Sequence, residues 1–135
     1  AWRIGCYAGF LIGREAGKRL AERGKGTILF TGATASLKSR GPFVAFASAK
    51  AGLRAVAGGL ARDLGPHGVH VCHVIVDGII DGEQIRQRMP DLKDRLGADG
   101  MMRPDAIAES YWQLHLQDRS AWTFELDLRP FKESF

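Results

Sequence analysis

Long apolar runs are missing from this chain. No stretch approaches the roughly 20 apolar residues that a membrane-spanning helix needs, so no membrane role is expected. Blocks of one charge are missing too. The net charge is +4, but the lysines and arginines are scattered and not interleaved with aromatics, so nucleic-acid binding is set aside. Cysteine is scarce. Cys6 and Cys72 lie far apart in no metal-like spacing, and they read as buried free thiols of a reducing, cytoplasmic compartment. No signal peptide is read, and no repeats or low-complexity segments occur. An initiating Met is also lacking: Ala1-Trp2-Arg3-Ile4 reads like the middle of a longer protein. What is present is ordinary, with 45% apolar and 25% charged residues, enough to build a core.

The pattern alternates between helix and strand. Residues 1–22 carry Ile4, Tyr7, Ala8, Leu11, Ile12, Glu15, Ala16 and Arg19 at helical spacing, with Gly24 placed to stop the helix. Thr27 to Thr31 is a short β-rich run between glycines. Residues 33–42 read as a loop ending in Gly41-Pro42. Residues 43–64 form a long Ala-rich helix. Its Ala47, Ala51, Gly52, Ala55, Gly58 and Gly59 would let another helix approach closely, a reason to tolerate glycines that each cost about 1 kcal/mol. After the turn Gly65-Pro66-His67-Gly68, Val69 to Val76 is apolar on both faces, as suits a covered parallel strand ending at Asp77-Gly78. A polar stretch over 83–102 holds a short helical piece around Gln84–Arg88. Pro104 opens another helix, with Ile107, Ala108, Tyr111, Trp112 and Leu114 as its buried stripe. Trp122 to Leu128 alternates and reads as a last strand. The order is that of an α/β fold with a parallel sheet of three strands and flanking helices.

The motif that carries chemistry is Phe46-Ala47-Ser48-Ala49-Lys50, at the start of the long helix. Residues four apart share a helix face, so Phe46 and Lys50 point the same way. Here the chain resembles the short-chain dehydrogenase/reductases, which carry Tyr-x-x-x-Lys at this place. The resemblance runs from residue 1 to about residue 130. It implies the C-terminal half of a Rossmann-like, doubly wound parallel sheet: residues 1–135 as one partial domain without the first strands. The family's Asn, Ser, Tyr and Lys fall on Gly5, Ala33, Phe46 and Lys50, at intervals of 28, 13 and 4 residues.

By that resemblance, Lys50 is the one retained member of the catalytic set and also a contact to the nicotinamide ribose. Gly78 and Ile79 are the further cofactor contacts. A hydroxyl that exchanges a proton with substrate is typically worth 10²–10⁴-fold. Phe46 and Ala33 have none. The implied function is an NAD(P)-dependent oxidoreductase, weakly active or inactive as this chain. A dinucleotide also needs a glycine-rich turn against its pyrophosphate. Thr31-Gly32-Ala33-Thr34-Ala35-Ser36 only imitates one, so NAD or NADP is expected only where an N-terminal half supplies that turn. The resemblance assigns substrate choice to about residues 79–103, whose mixed charges indicate no substrate.

Other readings stay open beside it. A non-catalytic homologue acting through dimerisation or ligand binding would use helices 1–22 and 43–64, which pair the family's subunits. A small hydrolase would need Ser36 or Ser48 as nucleophile, with Asp77 or Asp81 orienting a histidine. His67, His70, Cys72 and His73 suggest a metal cluster, but on a strand His70 and Cys72 face away from His73, so no metal site is expected. Tyr7, Tyr111 and Trp112 read as core or interface residues. The strand at 26–32 would border the absent fourth strand and expose an edge that seeks pairing.

Overall fold

The computed structural model describes residues 1–134. The chain opens with a π-helical turn, Arg3–Tyr7, continued by α1 (Ala8–Arg23). Strand β1 (Gly26–Ala33), α2 (Val44–Leu64) and β2 (Val69–Val76) follow. Two short helices, α3 (Glu83–Arg88) and α4 (Leu92–Leu96), precede α5 (Pro104–His115) and β3 (Glu125–Leu128). The sheet is parallel, in the order β1-β2-β3.

The central strand shows why the sheet forms. Every residue of β2 is buried, so its polar backbone needs partners; β1 pairs with its whole length and β3 with His73–Val76. Its side chains alternate between two cores. Val69 and Val71 join Phe30, Leu53, Ala57 and Leu64 beneath α2. Cys72, Val74 and Val76 join Met102 and Leu114 beneath α5. Helices therefore cover both faces, the layered arrangement that an apolar parallel strand requires. Among the described residues β1 pairs with β2 only, and its outer edge carries no strand.

Helix α1 ends where its glycine predicts. Gly24 adopts φ 67°, and its N–H donates to the carbonyls of Ala21 and Leu20. Its packing face differs from the expected one. The apolar stripe read from the sequence is largely exposed, with Ile4 at 85% and Ile12 at 69%. The buried face is instead a line of glycines at four-residue spacing, Gly5, Gly9, Gly13 and Gly17. A methyl group at Gly13 would meet Leu60 at 2.7 Å and Phe30 at 2.8 Å; one at Gly17 would meet Leu64 at 2.6 Å. The small residues that admit a neighbour thus lie chiefly on α1, while α2 supplies large knobs. Gly52 is the exception on α2, lying under the sulfur of Cys6.

Three boundaries shift. The expected loop at 33–42 holds the end of β1 and two 3₁₀ turns, Thr34–Ser36 and Gly41–Phe43. The last strand is only Glu125–Leu128, because Trp122 leaves the sheet line to stack on His70 at 4.9 Å between ring centres. The stretch Gly41–His67, with mean hydropathy 1.2, is long and apolar enough to cross a membrane by length and composition, although the sequence offered no such run. A core helix meets the same measure, and this one packs on the sheet through Leu53, Ala57 and Leu64.

Candidate functional site

The π-helical turn, α1, the outer edge of β1 and the first turns of α2 border an open groove of about 640 Å³. Gly5, Phe46 and Lys50 all line it. Ile4, Ile12, Ile28, Phe30 and Leu53 make most of the rest of its wall apolar. Gly5 sits within the π-helical turn, a local widening of a helix that is frequent at functional sites. Phe46 and Lys50 share one face of α2, with the ammonium 5.8 Å from the ring centre.

Lys50 is half-buried. Its Nζ donates to the carbonyl of Thr31 at 2.8 Å. Among the described residues no carboxylate lies in ion-pair range of it. Burial without a counter-charge lowers its pKa from the ordinary lysine value.

Ala33 does not line that groove. It sits at the end of β1, where its N–H donates to Ser36 Oγ at 3.1 Å. Gly78 and Ile79 also lie elsewhere, beyond the end of β2. Gly78 packs against Pro130, and the Ile79 carbonyl accepts the N–H of Met102 at 2.8 Å. The structure therefore groups three of the six positions singled out for the family's active and cofactor sites, and leaves Ala33, Gly78 and Ile79 outside the group.

Behind Ala33 runs a polar chain that the sequence did not reveal. Ser36 Oγ lies 3.4 Å from His73 Nε2. His73 Nδ1 lies 2.9 Å from Glu125 Oε2. Arg54 grips the same carboxylate, Nε to Oε2 at 2.6 Å and Nη2 to Oε1 at 2.8 Å. The donors and acceptors are consistent when His73 carries its proton on Nδ1, so that Ser36 donates to Nε2 and Glu125 accepts from Nδ1. Gly32 makes room for this chain, since a side chain there would strike the His73 ring.

The carboxylate orienting the histidine is thus Glu125, not Asp77 or Asp81. Asp77 instead accepts from Thr34 and pairs with Arg129 at 3.2 Å. Asp81 pairs with Arg86 and Lys93, and the hydrogen bond from Arg86 holds its carboxyl low. The arrangement has the composition of a hydrolytic triad but not its access. Ser36 is 5% exposed and His73 is 0% exposed. Ser48 is exposed and spends its hydroxyl on the Ala45 carbonyl at 3.0 Å. His70 turns from His73 to the Thr123 carbonyl, and no three metal-ligating side chains gather among the described residues.

On the opposite face of β1, Thr31 Oγ1 meets Tyr111 Oη at 2.8 Å, and Thr27 Oγ1 meets His115 Nδ1 at 2.9 Å. Burial raises the Tyr111 pKa. These contacts border a second apolar groove of about 620 Å³, lined by Leu29, Val76, Ile80, Ile107 and Trp112 among others.

A parallel sheet covered on both faces, with a lysine rising from the first turns of the helix after β1, defines a Rossmann-like α/β protein. The short chain dehydrogenase family model matches residues 4–92, so the chain belongs to the short-chain dehydrogenase family. None of the curated proteins matches it. A short-chain dehydrogenase from Rhodopseudomonas palustris shares 44% identity, with 96% of this chain aligned to 50% of that one and a TM-score of 0.75. A structure titled ribose-5-phosphate isomerase, from Brucella melitensis 16M, shares 30% identity over 93% of this chain and 51% of its own, at a TM-score of 0.78. A 4-hydroxyisoleucine dehydrogenase complexed with NADH shares the fold at 20% identity, covering 93% and 54%, with a TM-score of 0.73. The chain spans about half the length of these solved structures.

Proposed function

We propose that this chain is the substrate-side half of an NAD(P)-dependent short-chain oxidoreductase with curtailed proton chemistry. The convergence of Gly5, Phe46 and Lys50 on one groove supports that reading most. In it, Lys50 keeps the ribose contact, while Phe46 and Ala33 leave the substrate oxygen without a hydroxyl partner. The dehydrogenase from R. palustris favours this class of reaction, although fold alone does not fix one.

The residues present fit only part of a dinucleotide. The Lys50 ammonium, with one carbonyl partner, has donors to spare for ribose hydroxyls. The turn at Thr34–Ser36 is too short and too encumbered by side chains to cradle a pyrophosphate. A bound nicotinamide would supply or accept the hydride; this chain's residues would position its ribose and wall the substrate. Calorimetric titration with NADH and NADPH tests the reading. Binding is expected to a form completed by a dinucleotide-binding half and not to this chain alone. Absence of binding in the completed form overturns it.

A second reading is a non-catalytic, self-associating homologue. It draws on the outward face of α2, where Val44, Ala51, Ala55 and Gly59 are exposed although apolar or small. Sedimentation equilibrium tests it, and a monomer at all concentrations removes it. The hydrolase reading has the Ser36–His73–Glu125 chain in its favour and the burial of Ser36 against it. Ester hydrolysis abolished by Ser36→Ala would revive it.

A further inference from the structure

An Asp-Gly pair is prone to rearrangement. Glycine has no side chain to shield its nitrogen, so that nitrogen can reach the carboxyl carbon of the aspartate before it. The sequence holds three such pairs, Asp77-Gly78, Asp81-Gly82 and Asp99-Gly100. The fold treats them unequally. Asp77 is buried, accepts from Thr34 and pairs with Arg129, and Gly78 is wedged against Pro130. Asp81 is buried and pairs with Arg86 and Lys93, while the Gly82 N–H donates to the Ile80 carbonyl at 2.8 Å. Asp99 is exposed, and its carboxyl has no hydrogen-bond or ion-pair partner among the described residues. Its φ of 59° is the one positive value at a non-glycine among them, a conformation that L residues hold under strain. The Gly100 N–H reaches only the Gly97 carbonyl, at 3.3 Å. Asp99 borders a groove shared with Leu128 and Pro130 beside β3, the strand farthest from the open edge of β1.

We propose that Asp99-Gly100 is the isoaspartate-forming site of this chain, and that ion pairing shields Asp77 and Asp81 from the same reaction. The step balances without redox chemistry. The Gly100 nitrogen attacks the carboxyl carbon of a protonated Asp99, a C–N bond forms, and the amide proton leaves with a carboxyl oxygen as water. The product is a cyclic imide. Water then adds to either imide carbonyl and breaks one C–N bond. One opening restores aspartate; the other runs the main chain through the former side chain, with no atom gained or lost overall. A carboxylate must bind a proton before it reacts, and the cations at Asp77 and Asp81 oppose that. Ring closure also turns the backbone, which at those two residues would break their ion pairs. At Asp99 nothing comparable is lost. The rearranged linkage lengthens the main chain on the wall of a groove of about 650 Å³, beside Met102, Arg103 and Ile107. The shape of that groove would then change with the age of the molecule.

The reaction needs only water and no dinucleotide, so its failure and that of the oxidoreductase reading are separable. The experiment warms the folded chain at neutral pH in water enriched in heavy oxygen, digests it, and maps the three Asp-Gly peptides by mass spectrometry. Each imide opening places a heavy oxygen in the product, and electron-transfer fragmentation separates the two linkages. Heavy oxygen and isoaspartate should accumulate at Asp99 on the order of 10-fold faster than at Asp77 or Asp81, since breaking a hydrogen bond to a charged group costs at least that factor in population. In denaturant the three rates should converge, because the same two residues react at each place. Asp99→Glu should lose the early product, since glutamate closes its larger ring far more slowly. Because the comparison of the three pairs uses the unaltered chain, it holds even if that variant does not fold. Equal rates in the folded chain, a lead by Asp77 or Asp81, or no conversion at Asp99 while the denatured chain converts overturns the proposal.

Discussion

His73 and Glu125 lie 2.9 Å apart on neighbouring strands, a fully buried imidazole against a carboxylate already held by Arg54. The pair crosses from β2 to β3 in register, since the two residues are direct partners in the ladder. Replacing Glu125 by Gln should cost about 2 kcal/mol at neutral pH, the worth of a hydrogen bond to a charged group. Urea unfolding of the variant measures it. An unchanged midpoint would mean that the chain of contacts is ornamental.

The same pair sets an acid response. Burial holds the His73 pKa below its ordinary value despite the pull of Glu125, and the hydrogen bond from Arg54 holds the Glu125 carboxyl below its own. Both groups bind fewer protons folded than unfolded, so stability should rise with pH across this range. The contribution is complete above the unfolded histidine value of about 6.5 and declines as pH falls through the folded values. The Glu125 part begins to fade below about 4.3 and is the part that Glu125→Gln should remove. Unfolding midpoints measured from neutral to acidic pH check the slope; a flat profile contradicts it.

Two glycines should respond in opposite ways. Gly13→Val drives a side chain into Leu60 and Phe30 and should destabilise by about 1–3 kcal/mol through overpacking. Gly59 lies within α2 with nothing near its missing methyl, so Gly59→Ala should stabilise by about 1 kcal/mol. Thermal melts of the two variants decide the matter. A loss on Gly59→Ala would indicate close self-contact at that face.

Cys72 is fully buried, and burial pushes its thiol up to about 11. Iodoacetamide at mildly alkaline pH should modify it on the order of 100-fold more slowly than in denaturant, from the thiolate fraction alone. Mass spectrometry of the Cys72 peptide follows the rate. Equal rates in the two conditions would show that the β2–α5 core opens readily.

Hydroxyl restoration tests the vacated positions. In a form completed by a dinucleotide-binding half, Phe46→Tyr with Ala33→Ser should raise carbonyl reduction by about 10²–10⁴-fold, the usual worth of a positioned acid. Spectrophotometry of NADH or NADPH consumption measures it. No gain would place the loss in the groove as a whole.

The sequence carried the sheet well, because β2 is apolar on both faces and bounded by turn glycines. The start of α2 was equally plain, since Phe46 and Lys50 sit one helical turn apart. The packing of α1 was misread: glycines carry no hydropathy, so a stripe of them was outscored by Ile4 and Ile12, which face outward. The strand at 122–128 was drawn too long because His70 captures Trp122, a contact 52 residues away in sequence. Glu125 was missed for a related reason. Nothing local marks a carboxylate as a partner of His73, although two polar groups on neighbouring apolar strands imply that each must find one.

The glycine line on α1 has a consequence for how this site can change. At most positions a substitution may remove atoms as easily as add them. Along Gly5, Gly9, Gly13 and Gly17 there is nothing left to remove, so every substitution enlarges the contact and pushes α1 from its neighbours. The groove beside Lys50 is free to vary on its isoleucine side, whereas its glycine side admits drift in one direction only. Inherited variation should therefore reach the isoleucine side of the groove more freely than the spacing of α1 against α2.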